Sequence, residues 1–298
     1  MNPLEAAREL HTLRDWLRYA VSRFEESGIF FGHGTQNSVD EAAWLILSAL
    51  HLPHNTLETF LDAVITEPER RTLAHLVERR ITERIPTAYL LREAWLGDFK
   101  FYVDERVIVP RSFIAELLHE QLTPWITNPD EVTAVADICT GSSCLAVLAA
   151  HAFPNAEVDA VDISDDALAV ARKNVADYQL EDRVHLLQSD MLTKLAGRRY
   201  DIILSNPPYV DASAMNVLPQ EYRSEPGLAL ASGEDGLHHT RALLAHAAEH
   251  LHPDGLLIVE IGHNRDALEA ACPHLSFTWL KVSGGDQYVF LLTREQLE

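Results

Sequence analysis

The chain has 298 residues, and its 45 acidic side chains against 24 basic ones give a formal net charge of −21. An enzyme that binds a DNA duplex must neutralise phosphates with Lys and Arg, so this balance argues against that class. The acidity would attract a basic protein partner, or it only keeps the protein soluble.

Other classes are excluded by features that the sequence lacks. Three cysteines are too few for a disulfide framework, which favours a reducing cytoplasm. Residues 1–5 have no basic region or apolar core typical of a signal peptide, and no apolar run approaches the length of a membrane span. The 15 histidines are scattered without Cys or acidic partners at ligand spacing, so no metal site is expected.

Residues 1–91 show the helical period and predict a small N-terminal helical domain suited to substrate recognition. The candidate helices are residues 4–26, 39–51, 56–64 and 68–84. Ser38 lies three residues before Glu41, which predicts a capping box at the start of the second helix. Arginines between Arg70 and Arg84 alternate with glutamates, which favours a solvated helix face over an RNA contact.

Residues 92–111 predict a linking β-hairpin between this domain and the rest of the chain. From about residue 94 to 109 the pattern alternates, which is typical of strands. The predicted inner face carries Phe99, Phe101 and Val103. Lys100, Tyr102 and Asp104 would lie on the outer face.

Residues 112–298 alternate between strand and helix patterns, which predicts a doubly wound α/β sheet that binds its ligand at the carboxyl ends of the strands. The candidate strands are residues 132–138, 157–162, 184–188, 200–205, 256–261, 278–282 and 288–293. The candidate helices are residues 112–122, 143–152, 165–177 and 236–251. Residues 283–286 are too short for a helical crossover, so the last two strands should form an antiparallel hairpin.

The turn after the first of these strands resembles a nucleotide-binding loop. In residues 139–144, Cys-Thr-Gly-Ser-Ser-Cys, only Gly141 remains of three expected glycines, because Cys139 and Ser143 occupy the other two places. Since both carry a Cβ, we expect a negative φ at each. Asp162 ends the next strand, where an acidic residue binds ribose hydroxyls, and Asp190 follows the strand after it, where a carboxylate could accept from an adenine amino group. Each could also be an ordinary polar residue at a strand end.

The most informative segment is Asn206, Pro207, Pro208 and Tyr209, directly after the apolar run 200–205. The Asn206 side-chain oxygen and the Pro207 carbonyl are both acceptors, and proline has no N–H to compete with them. Two converging acceptors can hold both hydrogens of an NH2 group while the Tyr209 ring covers its flat face. The segment therefore predicts methyl transfer to a planar nitrogen. The alternative is a proline turn that only ends a strand.

These motifs resemble those of the class I S-adenosylmethionine-dependent protein N5-glutamine methyltransferases. The similarity extends from about residue 84 to the C-terminus and includes Gly97, Arg111 and the segment from Glu225 to Leu237. It implies a seven-stranded sheet with one reversed strand, and S-adenosyl-L-methionine as the cofactor. DNA adenine methyltransferases also use an Asn-Pro-Pro-aromatic loop, but the charge argues against them.

Two branches of the family are known, one acting on ribosomal protein L3 and one on peptide-chain release factors. Residues 139–144 and 218–223 are similar to the ribosomal-protein branch, which implies L3, free or in an assembling large subunit, as the partner. Met191 stands where the release-factor branch has an aromatic residue. The release-factor branch is the runner-up, and a non-catalytic ribosome assembly protein is the alternative from another class.

The resemblance and the residues together assign three groups of site residues. The catalytic group is Asn206, Pro207 and Tyr209. The cofactor group is Asp137, Cys139, Thr140, Gly141, Ser142, Ser143, Asp162, Ile163, Asp190, Met191 and Asn206. The substrate group is Asn206, Pro207, Pro208, Tyr209 and Glu225. For Arg111 and Glu225 the open alternative is a structural ion pair.

Overall fold

The computed structural model describes residues 3–298, which fall into two compact units. The helical unit contains the chain up to Ala94 together with Pro219–Ser224, and the sheet unit contains Trp95–Leu218 and Glu225–Glu298. The boundaries expected from the sequence, at residues 91 and 111, do not anticipate that a short segment of the later chain belongs to the helical unit. Met1 and Asn2, within the segment where no signal peptide is expected, lie outside the described residues.

The first predicted helix, residues 4–26, is divided in two. The helices of residues 3–94 are α1 (Pro3–Glu9), α2 (Leu13–Ser27), α3 (Ser38–Ala49), α4 (Leu57–Phe60), α5 (Glu67–Thr82) and α6 (Thr87–Leu91). The break occurs because Thr12 caps α2: its hydroxyl accepts the N–H of Asp15 at 3.2 Å, and the Asp15 carboxylate accepts the N–H of Thr12 at 2.9 Å. Within the described residues, no helix is long and apolar enough to cross a membrane.

The start of α3 also differs from the prediction. Asn37, not Ser38, caps the helix, because its side-chain oxygen accepts two backbone N–H groups of the first turn at 3.0 and 2.9 Å. Glu41 is 2% exposed, and its carboxylate accepts from Arg80. The predicted capping box was therefore wrong, since a partner distant in sequence takes the glutamate.

A buried charge network centres on Arg80, which is 1% exposed. Its Nε donates to Glu41 at 2.5 Å and its Nη2 donates to the Phe30 carbonyl at 2.8 Å. Its Nη1 lies 3.5 Å from Glu221, which also accepts the N–H of Phe30 at 2.9 Å. The predicted solvated face is therefore wrong for Arg80, because two glutamates compensate its charge in the interior. Since Glu221 lies in Pro219–Ser224, the network also fixes that segment in the helical unit.

The hairpin predicted over residues 94–109 is much shorter. Its strands are β1 (Ala94–Leu96) and β2 (Phe99–Phe101). The strand pattern stops because Asn174 takes both backbone groups of Tyr102, accepting its N–H at 2.7 Å and donating to its carbonyl at 3.0 Å. Asp104, predicted on the outer face, is 9% exposed and is paired with Arg106.

The sheet unit contains the doubly wound sheet of seven strands that the sequence predicts. The strands are β3 (Ala134–Ile138), β4 (Glu157–Asp162), β5 (Val184–Gln188), β6 (Tyr200–Ser205), β7 (Leu251–Glu260), β8 (Thr278–Val282) and β9 (Gly285–Thr293), in the spatial order β5-β4-β3-β6-β7-β9-β8. Strand β9 pairs antiparallel with both β7 and β8, while the neighbours from β5 to β7 pair in parallel. The single reversed strand and the antiparallel final hairpin are thus confirmed.

Helices cover both faces of the sheet. They are α7 (Ile114–His119), α8 (Cys144–Ala152), α9 (Asp165–Asp177), α10 (Ala212–Met215), α11 (His238–His246), α12 (Arg265–Ala271) and α13 (Arg294–Leu297). Alternate residues of β6 enter different cores: Ile202 and Leu204 pack on one face and Ile203 on the other. Because β6 is apolar on both faces, it lies at the centre of the sheet.

We predict that Arg80→Met strongly destabilises the protein. Methionine fills a similar volume but leaves the buried carboxylate of Glu41 without its ion-pair partner and Glu221 with Arg84 alone, which costs roughly 3–5 kcal/mol. Urea denaturation followed by tryptophan fluorescence measures the loss. The control is Arg71→Met, because Arg71 is 70% exposed and pairs with Glu67 in the same helix, so its change should stay below about 0.5 kcal/mol. Equal effects of the two substitutions would contradict the role of the network.

Candidate active site

A cleft of about 770 Å³, including its open mouth, lies in the sheet unit at the carboxyl edge of the sheet. Ile138 pairs with Val161 on one side and with Ser205 on the other, so β3, β4 and β6 end side by side. Polar residues that follow these strands therefore meet at one edge. The predicted site residues that line the cleft are Cys139, Gly141, Asp162, Ile163, Asp190, Met191, Asn206 and Pro208.

The loop after β3 adopts a conformation opposite to the one predicted. Cys139 has φ of 62° and Ser143 has φ of 66°, so the expected negative φ was wrong at both positions. The turn is tight, because the N–H of Ser143 donates to the carbonyl of Thr140 at 2.8 Å, and the N–H of Thr140 donates to Val161 at 2.8 Å. A left-handed conformation costs a residue with a Cβ about 1–2 kcal/mol, and these bonds offset it.

Asp137 stabilises this loop from below and does not line the cleft. It is 1% exposed, and its Oδ2 accepts the hydroxyl of Thr140 at 2.6 Å and the N–H of Ala146 at 3.0 Å. Burial raises the pKa of Asp137 to about 7. Thr140, Ser142 and Ser143 are also absent from the lining, so direct cofactor contacts of these four residues stay a prediction. The side chains of Asp137 and Thr140 hold the turn.

Asp162 connects two turns at the floor of the cleft. One carboxylate oxygen accepts the N–H of Gly141 at 2.9 Å, and the other accepts the N–H of Ser164 at 2.9 Å. Burial raises the pKa of this carboxyl above its ordinary value, although both hydrogen bonds lower it. Asp162 therefore fixes the β3 loop to the turn after its own strand.

The Asn206 segment begins where β6 ends. The hydroxyl of Ser205 donates to the carbonyl of Ile138 at 2.6 Å, which anchors the end of the strand. Pro207 and Pro208 are buried, and Asn206 is half-buried at the cleft. Among residues 3–298, no hydrogen bond to the Asn206 side-chain amide is formed, so its oxygen and NH2 face the cleft uncommitted.

Tyr209 lies outside the cleft lining and contacts Asn264 and Gly262, which the sequence analysis missed, and Gly236 of the segment from Glu225 to Leu237. Its carbonyl accepts from the side chain of Asn264 at 2.8 Å. A Cβ at Gly262 would lie 2.7 Å from the Tyr209 ring, and a Cβ at Gly236 would lie 2.5 Å from its carbonyl oxygen. Both glycines are therefore required for close approach. Gly262 could have been predicted from the sequence, because it directly follows the apolar run of the strand next to β6.

Glu225 is paired within the fold. Its side chain is fully buried, its two oxygens accept from Arg111 at 2.5 and 2.7 Å, and one also accepts the N–H of Val109 at 3.0 Å. These donors are fixed parts of the fold, and the substrate role of Glu225 stays a prediction. The alternative of a structural ion pair is the one that the geometry supports.

Comparisons with known proteins agree with this architecture. Residues 15–91 match the model of the PrmC N-terminal domain, and residues 115–221 match that of the methyltransferase small domain. A Neisseria meningitidis serogroup A protein named ribosomal protein uL3 glutamine methyltransferase is 58% identical over 98% of this chain and 96% of its own length. A Bordetella pertussis protein of the same name is 54% identical over 97% of each. This chain belongs to the uL3 glutamine methyltransferase family.

Membership of the uL3 glutamine methyltransferase family confirms the resemblance drawn from residues 139–144, 206–209 and 218–223. Among solved structures, the hMettl16 catalytic domain is 14% identical and has a TM-score of 0.50 over 78% of this chain and 84% of that one. At that identity the likeness shows the fold alone. Among the described residues, no cluster of His, Cys, Asp or Glu is arranged to hold a metal ion.

Two further residues with ionisable side chains line the cleft in this family member and were not predicted. His239 lies at the start of α11, and its Nδ1 is 2.9 Å from the hydroxyl of buried Ser232. Burial lowers the pKa of His239, although Asp190 nearby raises it. Arg106 enters the lining from the loop after β2. Neither has a local sequence signal, because chain segments distant in sequence bring them to the cleft.

We predict that Ser143→Gly stabilises the protein by about 1 kcal/mol. Glycine removes the cost of the left-handed conformation, which exceeds the extra backbone entropy that glycine loses on folding. It also removes a buried hydroxyl that has no hydrogen-bond partner among residues 3–298. Chemical denaturation checks the change. Ser143→Ala is the control, because it removes the hydroxyl but keeps the Cβ. If the two variants are equally stable, the backbone contributes no strain here.

Proposed function

We propose that this protein transfers a methyl group from S-adenosyl-L-methionine to the side-chain amide nitrogen, N5, of a glutamine in ribosomal protein uL3. The observation that carries the proposal is the uncommitted Asn206 amide beside the two acidic cleft residues, Asp162 and Asp190. The names of relatives that are 51–58% identical support the choice of substrate. The intact Asn206 segment argues against a non-catalytic assembly protein.

The residues of the cleft fit the cofactor. The mainly apolar lining of the cleft, with a few polar groups, suits a small organic ligand. Asp162 has lone pairs left for ribose hydroxyls after its two backbone hydrogen bonds. Asp190 is exposed in the cleft and can accept from an adenine amino group, while Ile163 and Met191 offer apolar contacts to the ring. When bound, S-adenosylmethionine supplies an electrophilic methyl group on its sulfonium.

Asn206 and Pro207 position the nucleophile in this proposal. The nitrogen of an amide is a weak nucleophile because its lone pair is delocalised into the carbonyl. Two acceptors, the Asn206 side-chain oxygen and the Pro207 carbonyl, hold both N–H groups and aim the lone pair. Such positioning can supply roughly 7–11 kcal/mol. Tyr209, held by Asn264, would cover the substrate amide, and the nitrogen then loses its proton to water, so no general base is assigned.

Selection of the substrate is assigned to surfaces other than Glu225. The amide site recognises only a glutamine side chain, so residues 210–223 and the helical unit would distinguish one protein from another. A net charge of −21 suits a basic ribosomal protein.

We expect Asn206→Ala to lower methyl transfer at least a hundredfold, an effect comparable to the loss of one positioned polar group in other enzymes. The affinity for S-adenosylhomocysteine should remain within about twofold. Transfer of labelled methyl and calorimetric binding measure the two effects. Asn155→Ala is the control, because Asn155 is exposed and precedes β4 at the opposite end of the sheet. Unchanged turnover in the Asn206 variant would remove the basis of the mechanism.

We expect purified uL3 to accept labelled methyl on one glutamine, while a peptide-chain release factor is not labelled. The rate on uL3 should fall from low to moderate salt, because ions screen the attraction between the acidic enzyme and a basic substrate. Mass spectrometry of the labelled protein identifies the glutamine. Exclusive labelling of the release factor would overturn the substrate assignment and leave the chemistry unchanged. No label on either protein would favour a non-catalytic role.

A further inference from the structure

Arg106 brings a cation to the cleft, and a carboxylate holds that cation in place. Its Nε donates to Asp104 Oδ1 at 2.8 Å and its Nη2 donates to Asp104 Oδ2 at 2.6 Å. Asp104 also accepts the hydroxyl of Tyr102 at 2.9 Å. The Arg106 guanidinium is the first cause that holds the pKa of the Asp104 carboxyl below its ordinary value. The pair therefore stays ionised at neutral pH.

The pairing uses one edge of the guanidinium. Five N–H groups lie in the plane of an arginine, and a side-on carboxylate takes one from Nε and one from Nη2. The end edge, formed by Nη1 and the second hydrogen of Nη2, can bind another carboxylate in the same fork geometry. The Arg106 side chain is 40% exposed, whereas that of Asp104 is 12% exposed. Of the two partners, Arg106 is thus the more exposed one, and it is the one that lines the cleft.

The charges around the cleft identify what this edge would bind. Among the lining residues within the described chain, Arg106 is the one Arg or Lys, and Asp162 and Asp190 are the acidic groups. Under the proposed function, the two aspartates serve the nucleoside. The amino-acid end of S-adenosylmethionine carries an α-carboxylate, which needs donors and a positive charge.

We infer that Arg106, oriented by Asp104, binds the α-carboxylate of the methionine portion of the cofactor through the end edge of its guanidinium. The inference rests on the proposed function, because it assumes the cofactor. It adds a binding residue from the loop between β2 and α7, outside the segments that carry the family motifs. Arg106 would distinguish cofactor that carries the carboxylate from nucleosides that lack it.

The test compares ligands with and without this carboxylate. The proteins are the full-length wild type, Arg106→Met and Arg106→Lys. The ligand with the carboxylate is S-adenosylhomocysteine. The ligands without it are its decarboxylated analogue, which keeps the amine, and methylthioadenosine. Calorimetry gives each affinity without requiring catalysis. We expect Arg106→Met to weaken S-adenosylhomocysteine at least about tenfold, as for loss of a charge-assisted hydrogen bond, and to change the other two ligands by less than about twofold. Arg106→Lys should be intermediate, because an ammonium keeps the charge but not the fork.

Arg79→Met is the matched control, because Arg79 is 35% exposed and also forms a side-on pair with a carboxylate, that of Glu83 in the helical unit. It should bind all three ligands like the wild type. Equal weakening of all three ligands by Arg106→Met would overturn the inference and assign Arg106 to the shape of the cleft. Unchanged binding of S-adenosylhomocysteine would overturn it as well. If the wild type binds none of the ligands, it is the proposed cofactor that fails, so the two failures are distinguishable.

Discussion

The cleft depends on the hydrogen bonds that the Asp162 carboxylate makes to two backbone N–H groups. One belongs to Gly141 in the loop after β3, and the other belongs to Ser164 at the start of α9. Parallel strand pairing brings the carboxyl ends of β3 and β4 together, but it does not determine the path of the loops that follow. The Asp162 carboxylate determines the path of both loops, because it accepts a hydrogen bond from each. Leaving either N–H group unpaired beneath the cleft would cost about 1–3 kcal/mol. The adenosine-binding geometry proposed for the cleft therefore has its origin in this one side chain.

Backbone strain also occurs close to this interaction. Cys139, Ser143 and Met191 all have positive φ although each carries a side chain, and Cys139 and Met191 line the cleft. Such conformations persist only where surrounding bonds over-determine them. Here Asp137 and the β4 carbonyl groups provide those bonds from the buried side of the loop. These bonds let cysteine and serine adopt left-handed angles at positions where glycines are expected.

Residues next to strand ends could be predicted from the sequence, whereas residues brought in by tertiary contacts could not. An apolar run that is typical of a strand precedes each of Asp162, Asp190 and Asn206. Because the carboxyl ends of parallel strands meet at one edge of a sheet, the sequence places the three residues at a common edge. Asn174 and Asn264 have no such signal, because their side chains bond to backbone groups 28 or more residues away in the chain. The wrong φ at Cys139 has a different cause. Local propensity favours negative φ there, and long-range hydrogen bonds outweigh a preference of only about 1–2 kcal/mol.

The two arginine–carboxylate pairs near the cleft show how burial separates structure from function. Glu225 is fully buried, and it accepts from Arg111 and from a backbone N–H, so the pair is completed within the fold. Asp104 is also largely buried, but its partner Arg106 is 40% exposed and holds only one edge of its guanidinium against the carboxylate. The protein therefore orients the Arg106 guanidinium, while solvent still accepts from its remaining N–H groups. A ligand carboxylate that replaces this solvent gains a donor that is already positioned, so little side-chain entropy is lost on binding. The same residue types thus stabilise the fold at Glu225 and leave a recognition group at Arg106.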